Sequence, residues 1–134
     1  MKKLLALLLA AIMVFALVGC GNNEDQQGEE KAVKIGFIFL HDENSTYDKN
    51  FMDAANAAKE ALGLTDEQVM FKVNIPEGNE CYEAAAELVE AGCNIVFADS
   101  FGHEDFMIQA AKEFPDVMFC HATGTKAHTE NLPN

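Results

Sequence analysis

The side chains best suited to contacting a small molecule occupy two short stretches of this sequence. The first stretch supplies Asp42, Asn44, Tyr47 and Asp48, and the second is the run Ser100-Phe101-Gly102. Carboxylate, amide and hydroxyl groups can hydrogen-bond a solute, while tyrosine and phenylalanine rings offer flat faces to a planar or sugar-like group. We therefore predict that these residues bind a ligand, and we predict no catalytic residue, cofactor or metal for this site.

Both stretches follow segments that are predicted to be β-strands. Residues 33–40 are nearly all apolar, and residues 94–98 are mostly branched or aromatic, as in strands that are buried on both faces. Residues 69–73 and 117–121 are the other two strand candidates.

Three amphipathic helices are predicted between these strands. The first begins at Ser45, where Asp48 three places on suggests a capping box, and it ends at Gly63. The second ends at Gly92 and the third before Pro115. This alternation predicts an α/β fold, an open parallel sheet in the order 2-1-3-4 with helices on both faces. In that order the direction in which successive strands are added changes between strands one and three. The two polar stretches therefore flank one crevice.

The start of the chain predicts export and anchoring rather than a folded domain. Met1-Lys2-Lys3 precedes an apolar run that ends in Leu17-Val18-Gly19-Cys20, which is typical of a bacterial lipoprotein signal. We predict a signal peptide over residues 1–19, a lipid on Cys20 and a disordered acidic tether over residues 20–31. The protein would then be lipid-anchored on the outer face of the bacterial plasma membrane.

The chain is strongly acidic, with a formal net charge of −13. Such a protein repels nucleic acid and anionic lipid headgroups, so neither is an expected partner. Membrane contact should come from the acyl chains on Cys20 alone. An odd number of cysteines remains after lipidation, so Cys81, Cys93 and Cys120 are expected to be buried or free thiols.

Three histidines define an alternative site. His41 follows strand one, His103 follows strand three and His121 ends strand four. Together with nearby carboxylates they could hold a metal ion, although none of the spacings is a ligand motif such as His-Glu-x-x-His. An exported metal-dependent enzyme that uses these strand-end histidines is therefore the alternative hypothesis. The glycine-rich motifs of dinucleotide and triphosphate sites do not occur in the sequence.

Two long motifs resemble the basic membrane lipoprotein, or PnrA-like, family of substrate-binding lipoproteins. One is Phe97-Ala98-Asp99-Ser100-Phe101-Gly102, and the other joins Glu113-Phe114-Pro115-Asp116-Val117 to His121-Ala122-Thr123-Gly124. The resemblance implies a non-enzymatic component of an ABC importer. It would capture a small solute, such as a purine nucleoside, between two lobes and then dock on the permease subunits. By position, the two walls of that site are residues 42–47 and 99–102.

The chain departs from the family in two respects. Nucleoside-binding members often carry Asn-Asp-Lys-Ser-Phe-Asn, whereas this chain has Tyr47-Asp48-Lys49-Asn50-Phe51-Met52, without the first and last asparagines. Whole family members are also considerably longer. Residues 32–134 are therefore expected to form only the amino-terminal part of lobe I of a type I periplasmic-binding-protein fold, from a gene fragment or a truncated product.

Replacing Cys20 with serine should release the protein from membranes, because serine lacks the thiol that carries the lipid. The measurement is the share of protein in the membrane fraction of expressing cells. A matched variant, Cys120→Ser, removes a different thiol and should remain membrane-bound. A Cys20→Ser protein that stays in the membrane fraction would contradict the lipid anchor.

Overall fold

A computed structural model of the protein describes residues 32–126, so the predicted signal peptide, the tether and Cys20 lie outside the described residues. The elements in chain order are β1 (Ile35–Ile38), α1 (Thr46–Leu62), β2 (Val69–Lys72), α2 (Asn79–Glu90), β3 (Ile95–Ala98), α3 (Glu104–Glu113) and β4 (Met118–His121). Short 3₁₀ turns at Asp66–Gln68 and Phe101–His103 precede β2 and α3. Every predicted strand and helix is present, and the strands are shorter than predicted because their outer residues belong to the loops.

The four strands form one parallel sheet in the order β2-β1-β3-β4. β1 pairs with β2 on one side and with β3 on the other, so Ile38 lies beside both Lys72 and Ala98. β4 extends the sheet on the far side of β3, where Ala98 lies beside His121. The α/β fold class and the strand order predicted from the sequence are therefore confirmed.

One face of the sheet carries the hydrophobic core. The helices α2 and α3 pack against each other and against this face, because each presents a stripe of small and apolar residues to it. The core comprises Ile38, Val96 and Ala98 of the sheet, Cys81, Ala84, Ala85 and Leu88 of α2, Met107 and Ala110 of α3, and the loop residues Cys93 and Val117. Within the described region Cys81, Cys93 and Cys120 are free thiols, as predicted.

A glycine allows α2 to approach the sheet closely. A Cβ added at Gly36 of β1 would lie 2.7 Å from Leu88 Cδ1. Leu88 is fully buried in the core, so its side chain has no room to move away. The distance between β1 and α2 therefore depends on the missing side chain at position 36.

The helix α1 lies over the opposite face of the sheet and follows its sequence signals. Asp48 N lies 3.4 Å from the Ser45 hydroxyl oxygen at its start, and Gly63 ends it in the left-handed region with φ 65°. On this face the ring of Phe37 stacks on that of Phe97 with a centroid distance of 5.2 Å. An apolar cavity of about 540 Å³ separates α1 from the strands, and Phe97 is 38% exposed, so this face is only partly covered. None of the helices within residues 32–126 has the length and apolar character needed to cross a membrane.

Gly36→Ala should destabilise the protein by about 1–3 kcal/mol, because the added methyl overpacks a core that cannot relax. Urea unfolding of the full chain, followed by circular dichroism, measures the free energy of unfolding. Gly78→Ala is the matched control, since its added Cβ meets only the exposed Glu80 carboxylate, and it should lose under about 1 kcal/mol. Equal losses for the two variants would contradict the close approach at Gly36.

Candidate functional site

The carboxyl ends of β1 and β3 bring the two predicted ligand-binding stretches together. The Tyr47 hydroxyl donates a hydrogen bond to the backbone oxygen of Asp99 at 2.9 Å. Leu40 N donates a hydrogen bond to Asp99 Oδ1 at 3.3 Å. Because Leu40 follows β1 and Asp99 follows β3, these two bonds join the loops into one surface. We call the surface formed by residues 40–48 and 99–103 the crevice.

Asp48 lies beneath the exposed part of the crevice. It is fully buried, and its carboxylate accepts hydrogen bonds from His41 N at 2.9 Å and from the Ser45 hydroxyl at 2.5 Å. His41 Nδ1 lies 3.1 Å from the same carboxylate. Burial acts to raise the pKa of Asp48, but the bonds from Ser45 and His41 outweigh it and lower the pKa to about 2. In this conformation Asp48 organises the loop after β1 and presents no surface to a solute.

Asp99 is the second buried carboxyl of the crevice, and it is 3% exposed. Its Oδ2 is buried and receives no hydrogen bond from a donor group among residues 32–126. Burial, followed by the negative charge of Asp48, raises the pKa of Asp99 to about 7. The two carboxyl groups therefore titrate far apart, and near neutral pH Asp99 is partly protonated beside an ionised Asp48.

The exposed part of the crevice is aromatic and polar. Tyr47 is 47% exposed and Phe101 is 63% exposed, so both rings present a face to solvent. Asp42 accepts hydrogen bonds from the backbone and side-chain nitrogens of Asn44 at 3.0 and 2.9 Å, and these bonds lower the Asp42 pKa. The predicted residues Asp42, Asn44, Tyr47 and Phe101 therefore all lie where a solute could reach them.

The loop after β3 is held by a residue that sequence analysis did not select. Glu77 Oε1 accepts a hydrogen bond from the Ser100 hydroxyl at 2.5 Å and another from Gly102 N at 2.9 Å. Both donors were predicted to face a ligand, and in this structure Glu77 engages them. In the sequence Glu77 lies in a Pro-Glu-Gly segment, which is typical of a turn, and nothing local to that segment shows which loop it will meet.

The ring nitrogens of the three histidines of the alternative site have different hydrogen-bonding partners. His103 is fully buried, its Nε2 lies 2.9 Å from the Ile75 backbone oxygen, and burial lowers its pKa. His121 Nε2 lies 2.6 Å from the Ser100 backbone oxygen, and His41 contacts a buried carboxylate. Among residues 32–126 no three His, Cys, Asp or Glu side chains are arranged to hold a metal ion. The geometry gives the metal-dependent enzyme no support.

A second contact that the sequence did not predict holds the segment after β4. Glu104, the first residue of α3, is 5% exposed, and its Oε1 accepts hydrogen bonds from Thr125 N and, at 2.5 Å, from Lys126 N. A Cβ added at Gly124 would lie 2.7 Å from the same oxygen and 2.6 Å from His121 Nδ1. Gly124 therefore allows the segment to fold back onto the start of α3, next to the crevice.

Comparison with known proteins shows the relationship of this chain. No family model matches it. A purine-binding protein from Brucella abortus (strain 2308) is 33% identical over 123 residues, which cover 90% of this chain. This likeness supports the resemblance of the chain to the PnrA-like, or basic membrane lipoprotein, family of substrate-binding proteins. The match covers 33% of the Brucella protein, so the chain spans about a third of the length of this curated relative.

Two solved structures share the fold of this chain. A transcriptional activator of the comK gene from Bacillus halodurans has a TM-score of 0.58 at 16% identity, over 68% of this chain and 30% of that one. A solute-binding protein of an ABC transporter system from Conexibacter woesei DSM 14684 has a TM-score of 0.55 at 20% identity, over 66% of this chain and 28% of that one. At these identities the likeness concerns the fold, which is consistent with part of a periplasmic-binding-protein lobe.

Asp99→Asn should stabilise the protein at high pH and flatten the pH dependence of its stability. Folding raises the pKa of Asp99 from the ordinary 3.8 to about 7, so the folded protein keeps a proton that the unfolded chain releases. Stability contributed by that proton is lost as the pH rises from about 4 to about 7, and asparagine avoids the loss. We expect a gain on the order of 2 kcal/mol at about pH 8.

The measurement is urea unfolding of the full chain across this pH range. Asp116→Asn is the control, because Asp116 is an exposed aspartate in the turn before β4. It should reproduce the pH profile of the wild type. If Asp99→Asn also does so, the raised pKa of Asp99 is wrong.

Proposed function

We propose that this chain forms one wall of the solute site in the binding component of an ABC importer, and that the solute contains a purine. The observation that carries the proposal is the 33% identity, over 90% of this chain, to a protein named for binding purines. The fold shared with an ABC solute-binding protein supports it. Since the chain spans 33% of the purine-binding relative, the proposal concerns the role of this wall within a larger site.

The crevice has the groups that such a solute needs. A purine is flat and aromatic, and aromatic side chains bind flat rings by stacking on them. The exposed rings of Tyr47 and Phe101 supply those faces. The hydrogen bond from the Tyr47 hydroxyl to the Asp99 backbone oxygen fixes one ring in place. Asp42 and Asn44 lie at the rim, where they can bond to polar edges of the solute.

Capture requires a second wall. Ligand pockets generally bury roughly 70–90% of a drug-sized ligand, and one open surface cannot do so. We propose that a second lobe closes on the crevice by a hinge motion, desolvates the other side of the purine and creates the closed form that docks on permease subunits. The chain would then contribute aromatic contacts and orientation, while closure would contribute most of the affinity.

The proposed location follows from the start of the sequence. A lipid on Cys20 would hold the protein at the outer face of the bacterial plasma membrane, and the acidic residues 20–31 would serve as the tether. A tether of this kind lets the binding domain reach the permease while it stays near the membrane. The role is non-enzymatic, which is supported by a curated relative that is named for binding.

The full chain by itself should bind adenosine no more tightly than about millimolar, a free energy of roughly −4 kcal/mol, because one wall leaves most of the solute in water. Nuclear magnetic resonance titration of the ¹⁵N-labelled chain detects binding in this range. The largest amide shifts should fall at Tyr47 and Phe101.

Phe101→Ala should weaken these shifts, because it removes one stacking face. Met118→Ala is the control, since Met118 is 52% exposed but lies at the opposite, amino end of β4, and it should leave the titration unchanged. A micromolar dissociation constant would show that one wall suffices. Shifts confined to another part of the chain would refute the crevice as the site.

A further inference from the structure

One carboxylate oxygen holds both residues that flank Phe101. Glu77 Oε1 accepts the Ser100 hydroxyl at 2.5 Å and Gly102 N at 2.9 Å. Glu77 lies in the loop between β2 and α2, so it reaches across to the loop after β3. Its bonds engage two donors that would otherwise be available to a solute.

The contact is close enough to restrict the sequence of the loop. A Cβ added at Gly102 would lie 2.8 Å from both Cβ and Cγ of Glu77, and closer still to its carboxyl carbon. Any side chain at position 102 would therefore push Glu77 away. The contact between Glu77 and this loop therefore requires glycine at position 102.

Phe101 needs this anchor because packing does not hold it. Its ring is 63% exposed, so few atoms surround it. Ser100 has additional support, since its backbone oxygen accepts a hydrogen bond from His103 N at 3.0 Å and lies 2.6 Å from His121 Nε2. Gly102 depends more directly on Glu77, which makes the Gly102 amide a sensitive reporter of the contact.

The anchor also brings a charge to the crevice. Hydrogen bonds from Ser100 and then from Gly102 lower the pKa of Glu77, so its carboxylate is ionised at neutral pH. Two carboxylates on the facing wall, Asp42 and Asp48, have the same sign as Glu77, because both have lowered pKa values. A solute that carries a phosphate would meet like charges from both sides of the crevice.

We propose that Glu77 is a positioning and specificity residue: it fixes Phe101 for stacking, and its negative charge makes the crevice reject anionic solutes in favour of neutral ones. The selectivity half of this proposal rests on the proposed function. The positioning half concerns the protein without solute and stands independently of it.

The positioning half is tested by amide hydrogen exchange of the ¹⁵N-labelled full chain. In Glu77→Ala, exchange at Gly102 should become about tenfold faster, as expected when one hydrogen bond is lost. In the wild type, the Gly102 amide proton shift should follow the titration of a carboxyl with a pKa below the ordinary 4.5 of glutamate. That titration should vanish in Glu77→Gln. If Glu77 had only a general structural role, the titration at Gly102 would remain in this variant.

Glu80→Ala is the matched control, because it removes one negative charge from an exposed residue in the first turn of α2. Its Gly102 exchange and titration should equal those of the wild type. If Gly102 exchanges at the wild-type rate in Glu77→Ala, Glu77 does not position the loop.

The selectivity half is tested by titrating each variant with adenosine and with adenosine monophosphate. The ratio of the affinity for the monophosphate to the affinity for adenosine should rise about threefold or more in Glu77→Gln, because one nearby charge is gone. Glu80→Ala makes the same change in the net charge of −13 and should leave that ratio unchanged. Equal ratios in Glu77→Gln and Glu80→Ala would overturn the selectivity half. If no variant responds to adenosine, the proposed function and its selectivity fail together, while the exchange data still decide whether Glu77 positions the loop.

Discussion

The parallel pairing of β1 with both β2 and β3 is the constraint on which the crevice depends. Because β1 lies inside the sheet, the loops that follow β1 and β3 leave the same edge in adjacent positions. Helices then carry the chain away on opposite faces, and a gap opens between the two loops. The bond from the Tyr47 hydroxyl to the Asp99 backbone oxygen crosses that gap and sets its width.

Charge in this region is handled in three different ways. Asp48 is buried but well hydrogen-bonded, so it stays ionised. Asp99 is buried beside it with fewer bonds, so protonation becomes favourable near neutral pH. Glu77 is exposed and bonded to the opposite loop, so its negative charge remains at the surface. The crevice therefore keeps its acidic character while it buries only one fully ionised carboxylate.

The two faces of the sheet have different structural roles. The α2 and α3 face is packed to the point where Gly36 is needed for contact with Leu88. The α1 face retains an apolar cavity of about 540 Å³ and exposed aromatic rings. The two solved proteins that share this fold differ in kind, since one is a transcriptional activator and the other a solute-binding protein. That difference agrees with the general rule that function resides in loops placed on a common scaffold.

The sequence by itself determined the elements, their order in the sheet and the ends of α1. Hydrophobic periodicity, the cap at Ser45 and the left-handed glycine at Gly63 are local signals, and a parallel sheet with right-handed crossovers leaves few topologies for them. The motif around Ser100 also pointed to the PnrA-like family. These features depend on residues that are close together along the chain.

Only the tertiary structure decided which polar groups of the candidate site meet each other. Glu77 and Ser100 are 23 residues apart in sequence, and nothing near either residue marks them as partners. The same holds for Glu104 and the segment after β4, and for the burial of Asp48 beside Asp99. A hydrogen bond requires that its donor and acceptor be placed to within a few tenths of an ångström. That precision is reached only when the sheet and the helices are packed together.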